Sequence, residues 1–318
     1  MNKLWSDRAW DDYLYWQSAD RKIAKKINDL IKDIERNGLS DGIGKPEPLK
    51  HRKAWSRRID RANRLIYNFD GDIGDYGKYA LLRALAFRYS VGINWYLTPD
   101  DDRSDGKFTD YLLKNEDSLD RESFLMLKKI LFPDGKTLCQ ENRKISLIEN
   151  GGFLPGANFF SEEMDFTDII DRKAYREGWV SRSLDVLGQP DIIFLDPDNG
   201  LEVKSVSPTR KHGNKFVTYD EARQYYRSAK VAIVIYNHRD RSSKDEYMKR
   251  FLRFYEYEGT QDSFVYRLTF HKGSVRDYIF VTKPAYFKEI YDFLYVFACP
   301  ERGEYFTVGE LPLPMVKH

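Results

Sequence analysis

Residues 44–51 read Gly44-Lys45-Pro46-Glu47-Pro48-Leu49-Lys50-His51, followed by Trp55-Ser56-Arg57-Arg58-Ile59 and Asn63-Arg64-Leu65-Ile66-Tyr67. One carboxylate, Glu47, sits in a field of cations between two prolines, which restrict its backbone to an extended conformation. Downstream, residues 55–60 and 64–68 predict an antiparallel hairpin. Strand alternation sends Arg57 and Arg58 to opposite faces, so one of the two shares a face with Glu47. Upstream, Lys3–Trp5 predicts a short strand, and Ser6 or Asp7 an N-cap for a helix carrying Trp10, Tyr13 and Leu14. A second helix begins near Asp20. Its apolar positions Ile23, Ile27, Leu30, Ile31 and Ile34 form one stripe, its lysines lie opposite, and Asn37-Gly38 ends it. A strand–helix–helix–strand–strand order with one basic sheet face predicts a small α+β domain over residues 1–69.

Composition supports a small basic head on a larger body. The chain has 318 residues, 42% hydrophobic and 15% aromatic, enough for packed cores and too many for one ordinary domain. Residues 1–69 hold 16 Lys/Arg against 10 Asp/Glu, and the remainder holds 36 against 40. That asymmetry suits a head that meets a polyanion. The two cysteines, Cys139 and Cys299, have no metal-like spacing, so neither a disulfide framework nor a zinc site is expected. Without an apolar run of about 18–20 residues or an apolar signal core, a soluble cytoplasmic protein away from membranes is expected.

Residues 70–318 predict a second domain, joined without a Gly/Ser- or Pro-rich linker. Asp191-Ile192-Ile193-Phe194-Leu195 and Val231-Ala232-Ile233-Val234-Ile235-Tyr236 are continuous apolar runs, the mark of buried parallel strands. Predicted helices at 79–87, 121–131, 179–187, 219–229, 244–256 and 287–297 alternate with strands, which argues a doubly wound, Rossmann-like α/β sheet. Ligands in such sheets bind beyond the carboxyl ends of the strands. Three polar clusters occupy that position: one with Asp100 and Asp101, one with Asp196 and Asp198, and one with His238. We expect Asp196, Asp198 and His238 to carry the body's chemistry and Asp100 and Asp101 to contact a cofactor.

The stretches 44–51 and 55–59, with Trp10-Asp11-Asp12-Tyr13-Leu14-Tyr15-Trp16 and the run from Lys25, resemble the Txe/YoeB branch of the RelE-like toxin superfamily over residues 3–67. The resemblance implies a ribosome-dependent mRNA endonuclease that needs no cofactor and is neutralised by a YefM-type antitoxin. It implies Glu47 as general base, Arg64 as the clamp on the phosphorane, and Lys45, Lys50, Arg57 and Arg58 as RNA-backbone contacts. The family ends on a fourth strand whose His and Tyr complete its site. Here residues 67–70 run into Gly71-Asp72-Ile73-Gly74-Asp75-Tyr76-Gly77-Lys78, no histidine occurs between His51 and His212, and Asn63 stands where the family carries His. An incomplete RelE-like head with weakened cleavage is therefore expected.

The body is similar, more loosely, to Rossmann-like nucleic-acid adenine methyltransferases. Gly74–Lys78 would precede the first helix, and Asp196-Pro197-Asp198-Asn199 would stand at the catalytic tetrapeptide. The resemblance implies S-adenosylmethionine. Asp198 or Glu202 holding a divalent metal for phosphodiester hydrolysis is the alternative.

Overall fold

A computed structural model describes residues 7–37, 42–48, 55–67, 73–99, 110–112, 119–135, 139, 142, 144–239, 243–272, 275–299 and 305–310. The chain divides into two compact units, Met1–Ile73 with Asp102–Glu116, and Gly74–Asp101 with Asp117–His318. The expected strand at Lys3–Trp5 lies outside the described residues.

In the first unit, helices α1 (Asp7–Ala19) and α2 (Arg21–Asn37) precede strands β1 (Glu47–Pro48), β2 (Trp55–Arg58) and β3 (Arg64–Tyr67). The Asp20 carboxylate accepts from the backbone N–H of Lys22 (2.8 Å) and Ile23 (3.3 Å), capping α2. Ala24, Ile27, Leu30 and Ile34 are its buried stripe, while Lys22, Lys25 and Lys32 are exposed. Tyr13 ties α1 to α2 by donating to Asn28 Oδ1 at 3.0 Å. The strands form an antiparallel sheet in the order β1-β2-β3, with Glu47 opposite Ser56 and Arg58 opposite Arg64. Among the described residues β3 has β2 as its one neighbour, so no fourth strand covers that edge.

The second unit contains α3 (Ile73–Ala86, entered at Gly74), β4 (Val91–Asn94), α4 (Arg121–Leu131), α5 (Ile145–Asn150), β5 (Asn158–Phe160) and α6 (Arg172–Leu187). It continues with β6 (Ile192–Leu195), β7 (Gly200–Leu201), β8 (Phe216–Val217), α7 (Tyr219–Ser228), β9 (Ala232–His238) and α8 (Lys244–Leu252). Strands β10 (Phe264–Phe270) and β11 (Arg276–Thr282), helix α9 (Phe287–Phe297) and strand β12 (Phe306–Glu310) complete it. Seven strands form one mixed sheet in the order β12-β10-β11-β9-β6-β4-β5. Strands β5, β4, β6 and β9 are parallel; β11 runs antiparallel to both β9 and β10, and β12 antiparallel to β10.

Strand alternation divides the core. Ile193, Leu195, Ile233, Ile235, Ile279 and Val281 pack with Trp179, Ala222, Tyr225 and Phe251 from α6, α7 and α8. The opposite face carries Phe194, Tyr236 and Tyr278, whose rings meet at 5.3–6.3 Å, and α9 reaches that layer through Phe297 against Phe306. Residues 74–78 do not precede the first helix, as expected from sequence, but form its opening turns. Gly77 is the reason this works. A Cβ there would lie 2.6 Å from the Phe270 ring, so its absence lets the helix approach the sheet.

Candidate functional site

In the head, Glu47 enters from a two-residue edge strand and Arg64 from the far strand. Side chains on alternate positions bring them over Ser56 on the strand between. Arg64 Nη2 lies 2.9 Å from Glu47 Oε2. Its Nε donates to Ser56 Oγ at 2.9 Å, and Nη2 also reaches the carbonyls of Ser56 (3.3 Å) and Lys45 (3.5 Å). The guanidinium is thus held from three sides while 28% exposed, and Glu47 is 50% exposed. An ion pair this open is worth about 0–1 kcal/mol, so a phosphate can replace Glu47 on Arg64 at little cost. Lys45 is exposed with φ 50, and its loop is pinned by the Arg58 N–H donating to the Gly44 carbonyl at 2.6 Å.

The register settles which arginine shares the Glu47 face. Arg58 pairs with Arg64 and is exposed. Arg57 points the other way and is fully buried, donating to the Asp33 carboxylate on α2 and to the Ile43 carbonyl at 3.0 Å. Arg57 is therefore corrected from an RNA contact to a core residue, because a guanidinium sealed against α2 cannot reach a solvent-borne phosphate. Arg58→Ala is expected to leave head stability within about 0.5 kcal/mol and to lower the salt slope of RNA binding by about one. Denaturant unfolding and salt titration check the two parts. Lys50 and His51 lie outside the described residues.

In the body, the segment after β6 touches Thr98 beyond β4 and Asn237 near the end of β9. Leu195 ends β6 beside Ile235 of β9, and the Asp196 N–H donates to the Asn94 carbonyl at 2.9 Å. The next turn is fixed by Gly200 (φ 95), where a Cβ would lie 2.1 Å from Asn237 Oδ1. That oxygen accepts instead from the Leu201 N–H at 2.8 Å. Asp198 accepts from Lys215 Nζ (2.9 Å) and Thr98 Oγ1 (3.2 Å). His238 ends β9 edge-on to Tyr236, with ring centroids 5.3 Å apart. Glu202 Oε1 accepts from the Tyr219 N–H at 3.0 Å. Asp100 and Asp101 lie outside the described residues. Among the described residues, no group of three or more His, Cys, Asp or Glu that could hold a metal occurs.

Sequence reasoning missed the partner of Asp196. Lys78, in the second turn of α3, donates to Asp196 Oδ2 at 2.8 Å and lies 3.2 Å from Asp75. Its ammonium also faces the rings of Tyr79 (5.4 Å), Trp95 (5.7 Å) and Tyr236 (5.4 Å). Burial alone pushes this lysine toward deprotonation, but Asp196 and Asp75 outweigh it and hold it well above its ordinary value. The one available signal was a lysine one turn after Asp75 in a helix whose other charged residue is Arg83. A second network missed by sequence runs from Asn237 Nδ2 to Tyr247 (2.8 Å), from Tyr247 to buried Asp277 (2.7 Å), and from Arg239 Nε to the same carboxylate (2.8 Å).

Comparison with known proteins bears on the head. The profile of the YoeB-like toxin of bacterial type II toxin-antitoxin systems matches residues 5–76, running into the first turn of α3. Toxin YoeB of Escherichia coli (strain K12) is 54% identical over 74 residues, 23% of this chain and 87% of that protein. Toxin RelK of Mycobacterium tuberculosis is 52% identical over 66 residues, 20% of this chain and 76% of that one. A YoeB–YefM toxin-antitoxin heterotetramer from Staphylococcus aureus matches at 48% identity over 22% of this chain and 84% of that chain, with a TM-score of 0.22. Each of these matches covers the N-terminal segment alone. Through residues 5–76, the chain belongs to the YoeB-like toxin family of bacterial type II toxin-antitoxin systems.

Proposed function

We propose that the chain is a toxin whose head, residues 1–69, is a ribosome-dependent mRNA endonuclease fused to an α/β body, residues 70–318, and that a YefM-like antitoxin neutralises it in the cytoplasm. The observation that carries this reading is the 2.9 Å Glu47–Arg64 pair on the exposed sheet face, beside Arg58 and Lys45. In the reaction, Glu47 takes the proton of a ribose 2′-hydroxyl and the oxygen attacks the adjacent phosphorus. Arg64 shifts its N–H donors from Glu47 to the charge that develops on the phosphorane oxygens. The P–O5′ bond then breaks, and the leaving oxygen takes its proton from water. No histidine or tyrosine of a fourth strand stands beside β3 among the described residues. Lack of a positioned acid slows the step by about 10²–10⁴-fold. The test is growth after induction with and without a YefM-type antitoxin. Arrest relieved by the antitoxin supports the reading; arrest that survives Glu47→Ala and Arg64→Ala moves the toxic centre out of the head.

A second reading places an activity in the body, as a Rossmann-like nucleic-acid methyltransferase. It is favoured by the strand order β5-β4-β6-β9-β11-β10 with β11 reversed, and by the Lys78–Asp196 contact that joins α3 to the loop after β6. The metal-dependent phosphodiesterase is disfavoured, since Asp198 faces Lys215, which a divalent cation would have to displace, and Glu202 already accepts from the Tyr219 N–H. The cofactor side fits less well. The segment 95–99 leaving β4 has no glycine to admit S-adenosylmethionine, and Tyr96 (φ 48) buries its ring there against Trp179 at 4.9 Å. No step is therefore routed through that cofactor. Titration calorimetry of the full chain with S-adenosylmethionine decides: saturable heat supports methyl transfer, and none at high ligand removes it.

A further inference from the structure

We propose that Arg239, just past the carboxyl end of β9, and Arg267, reaching toward Asp277 from the middle of β10, form a phosphate-binding site on the body, a second nucleic-acid contact separate from the Glu47 face. The inference holds whether or not methyl transfer takes place at Asp196.

It rests on how the two guanidiniums are held. Asp277 is fully buried at the start of β11, and its oxygens accept from Thr269 Oγ1 (2.5 Å), Tyr247 (2.7 Å) and Arg239 Nε and Nη2 (2.8 and 3.2 Å). The pairing uses the Nε–Nη2 edge of Arg239 and leaves Nη1 for another acceptor, on a side chain that is 40% exposed. A buried carboxylate gives little net stability compared with an apolar replacement. What it does here is fix a guanidinium in one orientation at the rim.

Arg267 makes the charge unbalanced. Its Nε is buried, makes no hydrogen bond among the described residues and lies 3.9 Å from Asp277 Oδ1. Its Nη1 points at the Met248 sulfur at 3.2 Å, a weak acceptor. Among the described residues, two guanidiniums thus share one carboxylate. The excess is felt at His271, whose imidazole is held below its ordinary value by burial and by Arg239 and Arg267, with Asp277 opposing. The missing partner is an anion with several oxygens, which a fork-shaped donor set binds best as phosphate.

The site is also connected. Asn237 accepts from Leu201 N–H and donates to Tyr247, so one chain of hydrogen bonds runs from the 196–202 loop to the Asp277 carboxylate beneath Arg239.

The test uses the full chain carrying Lys45→Ala, Lys50→Ala, Arg58→Ala and Arg64→Ala, which removes the RNA contacts assigned to the head. Anisotropy of a short fluorescein-labelled single-stranded RNA is followed against salt. Residual binding is expected, weakened about tenfold or more by Arg239→Ala or Arg267→Ala, with the salt slope reduced by about one in each. Arg239→Gln, which keeps a donor on Asp277, should fold like the parent in thermal unfolding and still lose affinity. Displacement by inorganic phosphate marks a site for an isolated phosphate group; displacement by unlabelled RNA alone marks a diester chain, and either supports the site. Absence of residual binding, or binding unchanged in Arg239→Gln and Arg267→Ala, overturns it. Because those contacts are removed, this result is independent of whether the head cleaves RNA.

Discussion

Replacing Lys78 with methionine should destabilise the body by about 3–5 kcal/mol, the cost of removing one partner of a buried ion pair. The side chains of Lys78 and Asp196 are 9% and 12% exposed and meet at 2.8 Å. Methionine fills the space of the lysine stem, so the loss reads the charge rather than a cavity. Without the ammonium, the Asp196 carboxylate, 12% exposed, loses the cation that lies 2.8 Å from it. The pH dependence has a definite sign. A lysine whose folded value is raised above its ordinary 10.5 contributes stability that is fully present below 10.5 and is lost as pH rises through the folded value. The gap between wild type and Lys78→Met should therefore be flat through neutral and mildly alkaline pH and close above 10.5. Urea unfolding of both proteins across that range checks it, and a gap below about 1 kcal/mol at neutral pH contradicts a buried pair.

The second large effect is on the head's chemistry. Glu47→Gln keeps the shape of the side chain and removes the base. Arg64→Ala removes the donors that Ser56 and two backbone carbonyls hold in place. Each should lower the single-turnover cleavage rate by about 10²–10³-fold, as for loss of one proton-transfer or one charge-stabilising group. Because both groups are partly exposed and their pair is weak, neither change should move the unfolding midpoint appreciably. The combination of lost rate with retained stability separates a catalytic pair from a structural one. Arg57 is the contrast: a change there acts through the Asp33 contact and the core.

How much of this was legible in the sequence differs by element. The stripe of α2 and the hairpin β2–β3 were readable because periodicity and turn residues agreed there. In the body, the apolar runs of β6 and β9 announced buried parallel strands. Strands of two or three residues, such as β1, β5, β7 and β8, carry no periodic signal and were missed. The opening of α3 was misread as a loop because Gly74 and Gly77 look like helix breakers, whereas Gly77 serves close packing on Phe270. Alternation showed that Arg57 and Arg58 diverge but could not say which was buried. That depends on Asp33, 24 residues away on α2. The same limit hid Lys78–Asp196, a contact 118 residues apart in sequence.

The central claim is that the Glu47–Arg64 face cleaves RNA even though β3 carries no further strand among the described residues. It is tested most directly by adding the full chain to ribosomes stalled on a defined mRNA and mapping the new 5′ ends. The account predicts discrete cleavage within the ribosome-bound codon, slow, blocked by a YefM-type antitoxin and absent in Glu47→Gln. Intact mRNA at high enzyme and long times, or cleavage that persists in Glu47→Gln, would contradict it.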